Sequence, residues 1–284
     1  MGKRILVAVV GIPLLVLVLS AAPAWATLVL TAALCAVGAY ELLHALHGER
    51  AKGLEPLTVA VAALVPFGVY AESYQVQLLS LTAAPSAPLT GLLAMLFVLL
   101  LFVITIVRYG SPRAVSFELV TAAIFAGLVF PLMLSCLLRL RMMEYGFLLV
   151  WAPLAVSFGS DTCALFAGMA CGKHKLAPLV SPHKTVEGAV GGLLGGVLGL
   201  LILRAFAARF GGMTLWTIPE VLCFGVLGSL VSQIGDLSFS AIKREYGIKD
   251  YGNLLPGHGG VLDRFDSVTF VTPFVWFFLS LSTF

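Results

Sequence analysis

Charged side chains concentrate near one end of this otherwise apolar sequence, between Ser240 and Asp266. The chain contains 17 basic and 14 acidic residues, and eight of these 31 charges lie in that window. They are Lys243, Arg244, Glu245, Lys249, Asp250, Asp263, Arg264 and Asp266. Carboxylates bind hard cations such as Mg²⁺, which bridge phosphate oxygens, while Lys and Arg neutralise the remaining phosphate charge. The residue types therefore suit a site for a polyphosphate and a divalent cation.

The alternative interpretation of this window is a solvated loop that joins two membrane helices, in which Asp263 only caps the second helix. Residues just upstream favour the binding site. At 100° per residue, a helix that begins near Thr217 has a polar stripe along one face. The stripe consists of Ser232, Gln233, Asp236, Ser240, Lys243 and Arg244. Asp236 lies inside an apolar segment, where inserting a carboxylate costs about 2.5–3.5 kcal/mol, so its presence there indicates a function.

Two regions contain recognisable motifs. The C-terminal region has S-A-I-K-R at 240–244, K-D at 249–250, L-P-G-H-G-G at 255–260 and D-R-F-D at 263–266. The middle region has Ser160-Asp161-Thr162, G-K-H-K-L-A-P at 172–178 and S-P-H-K-T-V-E-G at 181–188. Together they resemble the phosphatidate cytidylyltransferase family, also called CDP-diglyceride synthases. The resemblance extends from about residue 150 to the C-terminus, and it departs from the usual family residues at Leu165, His183 and Val186.

The resemblance implies a nucleotidyltransferase that makes CDP-diacylglycerol and pyrophosphate from CTP and phosphatidate, for phospholipid biosynthesis. It also implies a requirement for Mg²⁺. We expect Asp236 and Asp263 to bind the metal, and the resemblance implies the same pair in a two-cation centre. The second cation would be K⁺ or another Mg²⁺.

The remaining candidate residues divide into those expected to act on the phosphates during the reaction and those expected to bind substrate. The first group is Lys243, Arg244 and His258, with the two metal-binding aspartates. The second group is Asp161, Lys184, Ser240, Lys249, Gly259, Gly260 and Arg264. Simpler interpretations stay open for some of them. The Lys-Arg pair would also anchor a helix end at the membrane surface, His258 would also fit an exposed loop, and the role of Asp161 is not assigned.

Composition places this chain among membrane proteins. It is 60% hydrophobic with a mean hydropathy of +1.04, which excludes an ordinary soluble globule. Apolar runs of about twenty residues predict an all-α, polytopic protein with nine spans. The predicted spans are 5–22, 27–46, 55–71, 89–107, 117–138, 146–168, 187–206, 217–240 and 265–283. The five cysteines have no metal-ligand spacing, so we expect neither disulfides nor zinc.

The spans fall into two regions at the level of the sequence. Residues 1–145 would hold five spans, and 146–284 would form the catalytic region with four spans and motif loops at 171–186 and 241–264. Residues 1–26 resemble a secretory signal, but the many later spans favour an uncleaved first helix. Gly191, Gly192, Gly195 and Gly196 predict close helix packing.

Loop charges predict the orientation. With the N-terminus in the cytoplasm and the C-terminus outside, 13 of the 17 bases lie in cytoplasmic segments, in agreement with the positive-inside rule. Arg139 and Arg141 are exceptions. Both motif loops then face the cytoplasm, where nucleoside triphosphates occur, and the expected location is a bacterial inner membrane.

A secondary transporter is the main alternative function, because intramembrane carboxylates and glycine-interrupted helices also occur along transport paths. That alternative predicts inverted halves with matching broken helices, and the sequence shows no such symmetry. We expect CTP, phosphatidate and bilayer lipid as partners and no nucleic acid. The resemblance also implies a homodimer.

Overall fold

The computed structural model describes residues 9, 11–79, 88–254 and 259–281, without the side chains of 76–79. His258 and part of the predicted first span therefore lie outside the described residues. The chain forms two compact units. The first comprises residues 1–142 and 250–264, and the second comprises residues 143–249 and 265–284.

The first unit contains five helices, and each follows one of the apolar runs. They are α1 (Gly11–Ala21), α2 (Ala24–His47), α3 (Glu55–Leu79), α4 (Leu89–Val107) and α5 (Phe117–Met142). A 3₁₀ turn, Gly48–Gly53, follows α2, and π-helical turns end α1 and interrupt α5. The helix α3 continues through Pro66 and past the predicted end at residue 71.

Helices α2 to α5 surround one apolar core. Its fully buried members include Leu43, Val65, Leu101 and Ala123, one from each helix. Each such leucine or valine contributes about 1.5–3 kcal/mol when it leaves water, and in a bilayer the same residues gain contacts by close packing.

Arg139 and Arg141, two of the four bases that the predicted topology places outside the cytoplasm, have partners within the first unit. Arg139 lies 3.5 Å from Glu72 Oε2, and Arg141 donates to the carbonyl oxygen of Ala22 at 2.8 Å. Glu72 also accepts hydrogen bonds from the Thr90 amide and hydroxyl, both at 2.7 Å, at the start of α4. These arginines therefore join helix ends.

The second unit contains the motif helices and a small hairpin. Its elements are α6 (Gly146–Leu149), α7 (Ala152–Cys171), β1 (Lys175–Ala177), β2 (Ser181–Thr185), α8 (Val186–Phe210), α9 (Ile218–Glu245) and α10 (Leu262–Leu281), whose first turn belongs to the first unit. The antiparallel hairpin pairs Lys175 with Thr185 and lies in the region predicted only as a loop. The predicted all-helical class is otherwise confirmed.

Glycines let α8 pack closely against its neighbours, as predicted. A Cβ atom on Gly195 would lie 2.6 Å from the Cβ of Cys163 and 2.8 Å from the carbonyl carbon of Gly159 on α7. A Cβ on Gly196 would lie 2.6 Å from the carbonyl oxygen of Gly225 on α9. Real Cβ atoms do not approach other atoms so closely, so α8 is held where only glycine fits.

Seven helices among the described residues are long and apolar enough to cross a membrane. They are Ala24–Gly53, Glu55–Gln75, Leu89–Val107, Phe117–Met142, Gly146–Cys171, Val186–Phe210 and Ile218–Glu245. The predicted spans 5–22 and 265–283 are not among them. Gly11–Ala21 is short, and α10 has charged residues at 263, 264 and 266 in its first two turns.

The glycine packing predicts a specific stability defect. Gly195→Ala should lower the free energy of unfolding by about 1–3 kcal/mol, because the added methyl overpacks the contact between α7 and α8. Gly91→Ala in α4 is the matched control, since its Cβ would make only an ordinary contact of 3.8 Å with Pro88. Thermal unfolding of the two purified variants in detergent measures the difference. Equal melting temperatures would contradict the packing argument.

Candidate active site

A cavity of about 490 Å³ in the second unit is lined by α7, α8, α9 and the hairpin. Its polar lining consists of Asp161, His183, Lys184, Thr185, Gln233 and Asp236. Its geometry follows from the local structure of the hairpin. Thr185 ends β2, and its hydroxyl accepts the Gly188 amide at 3.1 Å, so β2 continues directly into the first turn of α8. Lys184, one residue earlier, is thereby aimed at the cavity.

Asp236 and Lys184 form an ion pair in this cavity. The Lys184 ammonium donates to Asp236 Oδ2, and the Ser240 hydroxyl donates to Asp236 Oδ1 at 3.3 Å. The two charged side chains are 28% and 24% exposed, so the pair is partly shielded from water. A carboxylate in an apolar helix thus has two donors. Three of the predicted site residues are brought together here.

Beside this pair, a chain of hydrogen bonds joins the three helices. Ser160 of α7 contacts the Ser229 hydroxyl of α9 at 2.7 Å, and Ser229 donates to the Gly192 carbonyl of α8 at 2.8 Å. Gln233 donates to the Ala189 carbonyl at 3.1 Å. Because these polar atoms satisfy one another, the walls of the cavity keep a defined spacing.

Two further carboxylates interact electrostatically with this site. Asp161 interacts with Asp236 and Lys184. Asp266 on α10 interacts with Asp236, Asp161 and Lys243. Asp266 was not among the predicted site residues, although its place in the D-R-F-D motif and in an apolar helix was a signal that would have identified it.

The three basic residues that follow on α9 and beyond it differ in their surroundings. Lys243 is buried, with 9% exposure, whereas Lys249 is exposed. Arg244 donates to the carbonyl oxygens of Val180 at 3.2 Å and Ile248 at 3.1 Å. Arg244 therefore links the hairpin to the end of α9, a structural contact that sequence reasoning did not predict.

The first unit holds the other predicted metal ligand, Asp263. Asp263 is buried, and its Oδ2 accepts the amides of Tyr251 at 2.9 Å and Gly260 at 3.0 Å. The helix α10 begins one residue earlier, at Leu262, so Asp263 does not occupy the N-cap position of the alternative interpretation. Its carboxylate instead folds back onto the preceding loop.

The glycines predicted to bind substrate have conformational roles in this loop. Gly259 has φ of +82°, which favours glycine. A Cβ on Gly260 would lie 2.5 Å from Glu41 Oε2. Glu41 of α2 was missed by sequence reasoning, and it accepts the amides of Val261 and Leu262 at 3.0 and 2.9 Å. Arg264 is exposed.

The carboxylate oxygens of the site suit Mg²⁺, but side chains in the described part of the chain do not by themselves surround a metal ion. No group of three or more His, Cys, Asp or Glu side chains that could hold a metal ion occurs among the described residues. Mg²⁺ is usually held by one or two carboxylates together with waters and substrate phosphates. The buried hydroxyl of Ser232, one turn before Asp236, has no hydrogen-bond partner within the described chain.

These observations describe a helical membrane protein with a cavity of carboxylates and bases suited to phosphate and a divalent cation. The chain belongs to the cytidylyltransferase family, whose model matches residues 2–282. A phosphatidate cytidylyltransferase of Staphylococcus epidermidis is 37% identical to it over 186 residues, which cover 65% of this chain and 66% of that protein. One of Bacillus subtilis is 47% identical over 116 residues, which cover 40% of each chain. The chain thus aligns with less than two thirds of the length of these relatives.

The contacts of Arg244 predict its effect on the hairpin. Arg244→Gln should make trypsin cleave after Lys173 and Lys175 several-fold faster, because the link between β2 and α9 is weakened and local opening becomes more frequent. Lys249→Gln removes an exposed charge from the same segment and serves as the control. Cleavage rates at limiting trypsin measure the effect. Equal rates in the two variants would show that the Arg244 contacts do not hold the hairpin.

Proposed function

We propose that this protein transfers the cytidylyl group of CTP to phosphatidate for phospholipid biosynthesis. The supporting observation is the contact between Lys184 and Asp236, with Asp161 in the same cavity, in a chain that belongs to the cytidylyltransferase family. The bacterial relatives are phosphatidate cytidylyltransferases, and the proposed lipid substrate, phosphatidate, follows from them. The products are CDP-diacylglycerol and pyrophosphate.

In the proposed reaction, a phosphate oxygen of phosphatidate attacks the α-phosphorus of CTP. A new phosphorus–oxygen bond forms, and the bond from the α-phosphorus to the oxygen that bridges to the β-phosphorus breaks, so that pyrophosphate leaves. Both reactants are anions, and bringing them together requires positive charge placed in advance. The proposed phosphate-binding bases are Lys184, Lys243, Arg244, Lys249, His258 and Arg264, the last of which lies in the first turn of α10. The other proposed substrate-binding residues are Asp161, Ser240, Gly259 and Gly260.

Asp236 and Asp263 are the proposed ligands of Mg²⁺, and a second cation, K⁺ or Mg²⁺, is part of the proposal. Mg²⁺ when bound neutralises phosphate oxygens and polarises the reacting phosphorus. Asp236 accepts from Lys184, and Ser240 orients the same carboxylate. In the presence of the triphosphate, Lys184 exchanges its carboxylate partner for a phosphate oxygen.

The proposed topology has nine spans, with the N-terminus in the cytoplasm, the C-terminus outside and the site facing the cytoplasm of a bacterial inner membrane. It is supported by the seven described helices of sufficient length and by the distribution of bases. The acyl chains of phosphatidate stay in the bilayer while its head group reaches the site. We also propose that the protein forms a homodimer and that it has no nucleic-acid partner.

Substituting either proposed metal ligand should abolish most of the activity. Asp236→Asn and Asp263→Asn should each slow phosphatidate-dependent pyrophosphate release by at least about 100-fold, which corresponds to roughly 3 kcal/mol of lost transition-state stabilisation. Release from CTP by the purified protein in detergent is measured with and without phosphatidate and Mg²⁺.

Glu220→Gln is the control for this assay. Glu220 forms a capping box with Thr217 at the far end of α9, and glutamine preserves that motif. The control should retain activity. An absence of pyrophosphate release by the wild-type protein with every lipid and triphosphate tried would contradict the proposed reaction.

The proposed topology has its own test. A reporter fused after Phe284 should lie outside the cytoplasm, because nine spans from a cytoplasmic N-terminus end on the opposite side. Paired alkaline phosphatase and fluorescent-protein fusions report the side directly. A cytoplasmic signal at this position would overturn the nine-span topology without affecting the reaction.

A further inference from the structure

Glu41 is a buried carboxylate in α2 that binds the start of α10. It is only 4% exposed. Its Oε1 accepts the Val261 amide at 3.0 Å and its Oε2 accepts the Leu262 amide at 2.9 Å. Each oxygen of the carboxylate thus engages one of two consecutive backbone donors, although the partners are 220 and 221 residues away in the sequence.

A negative charge is well suited to this position. The first amides of a helix have no partner inside the helix, and the helix dipole favours an anion at that end. The surrounding backbone is shaped around the carboxylate. A Cβ atom on Gly252 or on Gly260 would lie 2.5 Å from an oxygen of Glu41, so the backbone at both positions approaches the carboxylate as closely as only glycine permits.

The same short segment also holds Asp263. Its Oδ2 accepts the amides of Tyr251 and Gly260, directly before the two amides that Glu41 accepts. Two carboxylates therefore divide three consecutive amides, 260 to 262, between them. Because the Glu41 contacts determine where α10 begins, they also determine the direction in which the Asp263 side chain leaves its first turn.

We propose that Glu41 is a positioning residue for Asp263, acting through the backbone of the turn from Gly260 to Leu262. This inference rests on the proposed function, in which Asp263 binds Mg²⁺. Loss of the carboxylate at position 41 then weakens the binding of Mg²⁺ more than it weakens the fold. Glu41 itself needs no contact with substrate or metal.

The test compares Glu41→Gln with a matched variant, Glu72→Gln. Glu72 is also a carboxylate of the first unit that accepts an amide at the start of a helix, that of Thr90 in α4. Its hydrogen bonds and ion pair join it to Thr90 and Arg139, which lie outside the segment 250–264. Both substitutions replace one acceptor oxygen by a donor and should lower the melting temperature. Only Glu41→Gln should change the response to Mg²⁺.

Two measurements report that response. The first is the Mg²⁺ concentration for half-maximal pyrophosphate release, which should rise at least tenfold in Glu41→Gln and less than twofold in Glu72→Gln. The second needs no turnover: the rise in melting temperature on adding Mg²⁺ alone, which should be lost in Glu41→Gln and kept in Glu72→Gln. Glu41→Asp retains both oxygens on a side chain shorter by one methylene and should fall between wild type and Glu41→Gln.

The outcomes separate this inference from the proposed function. A wild-type protein without phosphatidate-dependent release refutes the reaction, whereas the melting measurements still test the link between Glu41 and Mg²⁺. An active wild type with equal Mg²⁺ responses in the Glu41 and Glu72 variants overturns the inference. If Glu41→Gln does not fold, a Glu41→Asp protein with wild-type Mg²⁺ responses overturns it as well.

Discussion

A carboxylate shielded from water needs hydrogen-bond donors, and this need determines how the polar residues of this protein are arranged. Removing such a group from water is costly unless hydrogen bonds or an opposite charge replace the lost hydration. Glu41 and Asp263 are buried and Glu72 and Asp236 are partly buried, and each accepts from donors in another segment of the same unit. Apolar packing holds the helices together, and these carboxylates connect particular residues.

The donors that replace the lost hydration of a carboxylate differ between the two units. In the first unit, Glu41 and Asp263 accept backbone amides, which remain in place whatever ligand is present. In the second unit, Asp236 is paired with the flexible ammonium of Lys184. A fixed set of amides stabilises a fold, whereas a lysine at the end of a long side chain can change partner. The second unit is therefore suited to a site that alternates between a free and a ligand-bound state.

Much of the fold was predictable because a bilayer demands long apolar runs. The predicted span 89–107 coincides with Leu89–Val107, and the predicted start near Thr217 coincides with a capping box. Asp236 was identified by the free-energy cost of a charge in an apolar helix, and it does line the cavity. The end of α3 was misplaced, because hydropathy locates where a segment leaves the apolar region and a helix can continue into polar sequence.

Other features of the structure could not be predicted from the neighbouring sequence. The strands β1 and β2 contain three and five residues, too few to show alternation. Glu41 lies inside the predicted span 27–46, as Asp236 lies inside 217–240, but no motif surrounds it and its partners are more than 200 residues away. Gly260 was predicted to bind substrate, and the absence of a side chain at this position also accommodates Glu41. The sequence shows which residue types are present, but contacts between distant segments determine what each residue touches.

The contact between Glu41 and α10 also sets an order of events during synthesis. Residues 250–264 belong to the first unit, yet the ribosome makes them only after residues 143–249. At about 5–20 residues per second, roughly 10–40 s pass between the synthesis of Glu41 and that of its partners. During this interval α2 enters the membrane with a carboxylate that has not yet met the amides of α10. The nascent chain must therefore keep Glu41 hydrated, protonated or in contact with the insertion machinery until the last helix arrives.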